Sequence, residues 1–163
     1  GVAVVAEPTQ PGVRQETVTQ ANGAFHLREL APGQYTFTFS LAGFETVTRT
    51  AQVRIGLTTT VDVEMSLSNV SLRLDRQTVT AGESLQLDAE GFLGKEQVEV
   101  ELHSTPVSLG TLAADDAGAL SGTIAVPSDT TPGSHEVVLI GESGRTASIT
   151  VTVVAAPPLV ATG

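Results

Sequence analysis

Cysteine and tryptophan are both missing from the 163 residues, and tyrosine and methionine occur once each. Without cysteine there is no disulfide, no thiolate nucleophile and no Cys-ligated metal. Such a chain in an oxidising compartment would be held by its apolar cores alone. Basic residues are scarce too: eight Lys and Arg stand against eighteen Asp and Glu, giving a net charge of −10 and a pI near 4.5. Nucleic-acid affinity rests on clustered Lys and Arg, so that partner class is excluded, and the acidity is read as a solubility feature. No apolar run approaches the roughly 18 residues that a membrane span needs. No signal-peptide pattern opens the chain either, because Gly1 leads directly into a strand-like run; this reads as the start of a fragment or a mature segment.

Helix signals are nearly absent, whereas Val and Thr abound and 16 Gly and 8 Pro punctuate the chain at short intervals. That is an all-β composition. The organising stretch is residues 22–44. Asn22-Gly23 and Pro32-Gly33 supply two turns, with Gly33 expected in the left-handed position. From Tyr35 the residues alternate, with Tyr35, Phe37, Phe39 and Leu41 on one face and Thr36, Thr38 and Ser40 on the other. Three aromatics on one face make this strand the core of its domain.

In chain order, strands are expected at residues 2–6, 13–19, 24–29, 34–41, 45–55 and 58–67, the second paired with the third through the Asn22-Gly23 turn. Six strands in this length fit a small β-sandwich. The motifs Thr19-Gln-Ala-Asn-Gly-Ala-Phe-His-Leu, Leu30-Ala-Pro-Gly-Gln-Tyr and Ala42-Gly-Phe-Glu resemble the carboxypeptidase regulatory-like family and its relative, the Cna B-type repeat of Gram-positive surface proteins. The resemblance implies a prealbumin/Cna B-like sandwich over residues 1–67. It also implies one further strand before the position of Gly1, whose absence would leave a sheet edge open. Some Cna B-type repeats carry a Lys-to-Asn isopeptide bond; the single lysine here, Lys95, lies outside the module, so no isopeptide residues are assigned.

A short join at residues 66–70 leads to a second alternation: Val70, Leu72 and Leu74; Leu85, Leu87 and Ala89; Val98, Val100 and Leu102; Val137 and Leu139; Ile149, Val151 and Val153. Turn signals recur about every ten residues, so seven or eight strands form an Ig-like sandwich over residues 69–154. The motifs Ala81-Gly-Glu-Ser, Gly91-Phe, Asp116-Ala-Gly and Pro132-Gly-Ser-His resemble Ig-like modules of actinobacterial surface proteins.

Residues 155–163 form an extended tail containing Pro157-Pro158. Its end, Leu159, Val160, Ala161, Thr162 and Gly163, is similar to the Leu-Pro-x-Thr-Gly signals that sortases cleave between Thr and Gly, with Val160 departing from the usual Pro or Ala. The apolar span and basic end that follow such signals are not in this chain.

Catalytic and metal constellations are not expected. His26, His103 and His135 each lack a second ligand at metal spacing. Asp115-Asp116 and Gly118 read as a hairpin turn, since no calcium-loop pattern completes them. Glu99 with Glu101, and Asp62 with Glu64, sit on the polar faces of strands rather than across a cleft. His103 and Ser104 point to opposite faces and so cannot form a nucleophile-base pair. Phe25, Phe44 and Phe92 remain as aromatics free for ligand contact. The resulting expectation is a non-enzymatic stalk or spacer of a secreted, sortase-anchored bacterial surface protein, extracellular at the cell wall, with sortase and peptidoglycan as partners and no cofactor. The alternative is a binding module, an adhesin or an accessory domain of a secreted hydrolase that contacts a glycan or protein ligand.

Overall fold

The computed structural model describes residues 1–157. The chain is all-β and, among these residues, contains no helix; it divides into two compact units, Gly1–Ser68 and Asn69–Gly163.

Unit 1 holds one four-stranded antiparallel sheet. Its strands are β1 (Ala3–Pro8), β2 (Gln15–Val18), β3 (Gly33–Ser40) and β4 (Val47–Val53), in the order β2-β1-β3-β4. Alternation sets the face of β3: Tyr35, Phe37 and Phe39 are buried with Val4 and Ala6 of β1, while the residues between them are half-buried. Tyr35 opposes Pro8, Phe37 opposes Ala6 and Phe39 opposes Val4, so the two strands share one apolar row.

Two expected strands do not form, and one pairing differs. Strand β2 pairs with β1, not with residues 24–29. The Asn22-Gly23 turn itself is present: Gly23 has φ +82°, its N–H donates to the Gln20 carbonyl, and Ala24 N–H donates to Asn22 Oδ1. Beyond it, residues 25–30 run without ladder hydrogen bonds, as do residues 58–65. The latter segment is tied near its start by Thr59 Oγ1, which donates to the Gln52 carbonyl, and just beyond its end, where Phe44 and Leu67 form an isolated bridge and Glu45 N–H donates to the Ser66 carbonyl. Sequence periodicity nevertheless survives in both. Phe25, Leu27 and Leu30, and Val61, Val63 and Met65, are half-buried against the sheet, with exposed residues between them. The pattern that predicts a strand is therefore satisfied by packing, while a strand also needs a neighbour to supply hydrogen-bond partners. At the Pro32-Gly33 turn, Gly33 is nearly extended at φ +157°, and the left-handed residue is Glu29 at φ +59°.

Unit 2 is a two-layer sandwich. One sheet joins β5 (Ser71–Leu74), β7 (Ser84–Glu90) and β10 (Leu120–Ala125) in the order β10-β7-β5. The other joins β6 (Thr78–Thr80), β8 (Gln97–His103), β9 (Val107–Ala113), β11 (Gly133–Gly141) and β12 (Thr146–Val154) in the order β6-β12-β11-β8-β9. The pairing of β12 with β6 is parallel and all other ladders are antiparallel. The inward rows expected from alternation meet in one core: Leu85, Leu87 and Ala89 face Val98, Val100, Leu102, Val137, Leu139, Val151 and Val153. Val70, Leu72, Leu74 and Ile149 pack at its margin.

Candidate functional site

A concave feature lies within unit 1. Residues 25–30 and 58–65 cover the apolar face of the sheet and line a groove of about 1010 Å³, with Phe37 and Phe39 of β3 at its floor. Phe25 stacks edge-on against Phe39, with ring centroids 5.6 Å apart and planes at 73°, which fixes one wall to the floor. Ile55 and Leu57 also line the groove yet are 84% and 65% exposed, so the opening itself is apolar. The chemistry offered is hydrophobic contact together with two runs of backbone N–H and C=O groups. None of the backbone groups of residues 25–30 or 58–65 enters a ladder, and Thr59 Oγ1 donates to the Gln52 carbonyl of β4.

The ionisable residues lining the groove are His26, Arg28, Glu29, Arg54 and Asp62, a set of mixed sign. Among the described residues, no group of three His, Asp or Glu side chains is placed to hold a metal ion.

The remaining candidates are placed as follows. Asp115 closes the turn: its Oδ1 accepts from Ala117 N–H at 2.8 Å and Ala119 N–H at 2.9 Å. Asp116 pairs with Lys95 at 3.0 Å on the surface. Glu99 is exposed, and Glu101 accepts from His103 Nε2 at 2.6 Å. Asp62 and Glu64 are exposed and alternate with the groove-lining side chains. Phe44 is half-buried in the groove lining, whereas Phe92 is fully buried in the core of unit 2 and is not free for a ligand. A Gly-Phe step after a strand reads alike in both units; only tertiary packing distinguishes the two phenylalanines. The segment Leu159, Val160, Ala161, Thr162 and Gly163 lies outside the described residues.

Two polar arrangements are not evident from spacing. Ser104 meets His135, across 31 residues, rather than His103: its Oγ lies 3.1 Å from His135 Nδ1. His135 Nε2 faces the Thr131 carbonyl at 2.8 Å and must donate to it, which leaves Nδ1 as the acceptor for the Ser104 hydroxyl. Both ring nitrogens are thereby satisfied, and the pair pins the β8–β9 turn to the start of β11.

The second arrangement centres on Glu96, which is buried just before β8. Its Oε2 accepts from Leu93 N–H at 2.8 Å and its Oε1 from Ser143 N–H at 2.5 Å. Burial alone would raise this carboxyl, but the hydrogen bonds from Ser143 and Leu93 and the nearby Arg145 charge together outweigh it and hold Glu96 below its ordinary value. Arg145 in turn donates to the Gly91 carbonyl. Glu96 thus ties the β7–β8 connection to the β11–β12 hairpin.

The solved structures that the chain resembles include Spo0M, the sporulation control protein of Bacillus subtilis, at 15% identity and a TM-score of 0.37, covering 55% of this chain. The chain spans half the length of that protein. They also include the fibronectin(III)-like modules of Clostridium thermocellum CbhA, at 13% identity and a TM-score of 0.31, covering 94% of this chain and 78% of that one. No curated protein matches the sequence. Residues 1–66 match the family of the carboxypeptidase regulatory-like domain.

Proposed function

We propose that the chain is a non-catalytic structural segment of a secreted bacterial surface protein, a spacer that holds a functional region away from the cell wall. The observation that carries this reading is the use of the apolar side chains: both units direct them into β cores, and among the described residues no nucleophile, base and oxyanion donors converge. The Ser104–His135 contact is the nearest approach to a catalytic pair, and its second nitrogen is occupied by a backbone carbonyl within the same loop cluster. Attachment would be carried out by a sortase. The enzyme's thiolate attacks the Thr162 carbonyl, the Thr162–Gly163 peptide bond breaks, and the new amine at Gly163 leaves. A wall-linked amine then takes the acyl group from the enzyme.

Incubating the protein with sortase and an amine nucleophile, with intact mass as the readout, tests the attachment. Joining of the amine to Thr162, lost in Thr162→Ala, is the expected result. No product with sortases of either the Leu-Pro-x-Thr-Gly or the Leu-Ala-x-Thr-Gly type would remove the wall from this account.

A second reading, a binding module, is favoured by the groove of unit 1. In that case retention on a glycan array or on isolated cell walls would fall with Phe44→Ala while the far-UV spectrum stayed unchanged.

A further inference from the structure

We propose that Asn22 is a self-modifying site: the Gly23 backbone nitrogen displaces its side-chain amide, so that the turn at residues 20–24 is remodelled with time while the protein stays folded. The chain has two asparagines, Asn22 and Asn69, and only Asn22 precedes a glycine. Glycine has no Cβ to crowd its own nitrogen, whereas Val70, which follows Asn69, is β-branched and stiff. Ala21, Asn22 and Gly23 are all exposed, and a Cβ built on Gly23 would meet nothing within 4 Å beyond its chain neighbours, so water reaches the reacting peptide. Ala24 N–H donates to Asn22 Oδ1 at 3.0 Å, which folds the side-chain amide forward along the Asn22–Gly23 peptide and polarises its carbonyl toward attack. Two backbone bonds close the turn, from Gly23 N–H to the Gln20 carbonyl at 2.9 Å and from Gln20 N–H to the Ala24 carbonyl at 2.8 Å. The first holds the attacking nitrogen and must open before the reaction. Opening costs little, because the turn is exposed and residues 25–30 beyond it enter no ladder.

Water is the only co-reactant. The Gly23 nitrogen loses its proton to solvent and attacks Asn22 Cγ. The N–Cγ bond forms, the Cγ–Nδ2 bond breaks, and ammonia leaves after taking a proton from solvent. The product is a five-membered succinimide ring, and water then adds to one of its two carbonyls. Breaking the N–Cγ bond gives an ordinary aspartate; breaking the bond from nitrogen to the main-chain carbonyl of residue 22 gives isoaspartate, whose backbone runs through Cβ and Cγ. One water is consumed and one ammonia released, with no redox change. Either product places a new carboxylate in the turn. Isoaspartate also lengthens the main chain by one carbon, so the spacing that closes Gln20 onto Ala24 is lost just ahead of Phe25, the ring seated against Phe39. This proposal does not depend on wall attachment and stands or falls separately from it.

The test incubates the whole folded protein in mildly alkaline buffer beside a synthetic peptide of residues 18–27. Peptide-mapping mass spectrometry follows both, locating the exchange of NH2 for OH and separating aspartate from isoaspartate. Asn22 is expected to react at least about tenfold faster than Asn69, and within about tenfold of the free peptide, the margin that local opening of an exposed turn leaves. The rate should rise with pH, because the attacking nitrogen must lose its proton. Gly23→Ala should slow the reaction at least about tenfold, since a Cβ crowds the nitrogen and disfavours the φ of +82° found there. Should that variant disturb the fold, Asn22→Gln decides in its place: the longer side chain must close a six-membered ring, and the fast site should disappear. Asn22 remaining intact in the protein while the peptide reacts would overturn the proposal. So would equal rates at Asn22 and Asn69, or reaction at Asn22 only in denaturant. An isoaspartate form whose Ala24 amide exchanges as slowly as in the unreacted protein would overturn the remodelling of the turn.

Discussion

Glu96 shows how a single charged side chain holds a turn in place from inside a fold. Glu96→Gln keeps one acceptor but turns an amide NH2 group toward a backbone N–H that needs an acceptor, so unit 2 should lose about 1–3 kcal/mol in chemical denaturation. The pH dependence follows from the depressed carboxyl. The folded value lies below the ordinary 4.5, so the stabilisation is fully present above that value and is lost as pH falls through the folded one. The gap in stability between the original protein and Glu96→Gln should therefore be widest at neutral pH and shrink in acid. Gly141 packs directly on this carboxylate, and a Cβ there would collide with Glu96 Oε1. Gly141→Ala should displace the carboxylate and cost about 1–3 kcal/mol, read as a lower denaturation midpoint. Phe92, fully buried, should cost about 3–5 kcal/mol on truncation to alanine, so any loss of binding in that variant would report unfolding.

Among elements, β3 was legible from sequence because its alternation, its aromatics and its flanking turns all agree. Residues 25–30 and 58–65 carry the same period of two, and there the reading failed in an instructive way. Periodicity reports which side chains face a core; it does not report whether a neighbouring strand exists to close the ladder. The rows of Leu85, Val98 and Val151 in unit 2 succeeded because every inward row there has a paired neighbour. The difference between Phe39 and Phe25 follows from the same distinction. Phe39→Ala removes a ring that is 1% exposed between two hydrogen-bonded strands and should unfold unit 1. Phe25→Ala removes a half-buried ring from an unpaired wall and should cost less than half as much, by thermal unfolding followed with near-UV and far-UV signals.

At the scale of the whole molecule the two units are unequal. The buried core of unit 1 comprises Val4, Ala6, Tyr35, Phe37 and Phe39, whereas unit 2 buries residues from six strands and their connections around one centre. A domain of about 60 residues is marginal even when complete, since it buries only about 60% of its unfolded surface. A fragment beginning at Asn69 should therefore fold cooperatively on its own, while the fragment Gly1–Ser68 should unfold at lower denaturant; the comparison is one urea titration of each. Fold class was readable from turn spacing and alternation. The groove was not, because it arises from a missing ladder rather than from any residue type. The Ser104–His135 and Glu96–Ser143 contacts were not either, because they join residues 31 and 47 positions apart.

The most direct test of the account is amide hydrogen exchange on the protein alone, resolved residue by residue. It predicts slow exchange through β1, β3 and the strands of unit 2, and rapid exchange across residues 25–30 and 58–65, whose side chains are packed while their backbones are unpaired. Slow exchange across both segments in dilute protein would mean that these backbones are already paired, and would contradict this account of unit 1.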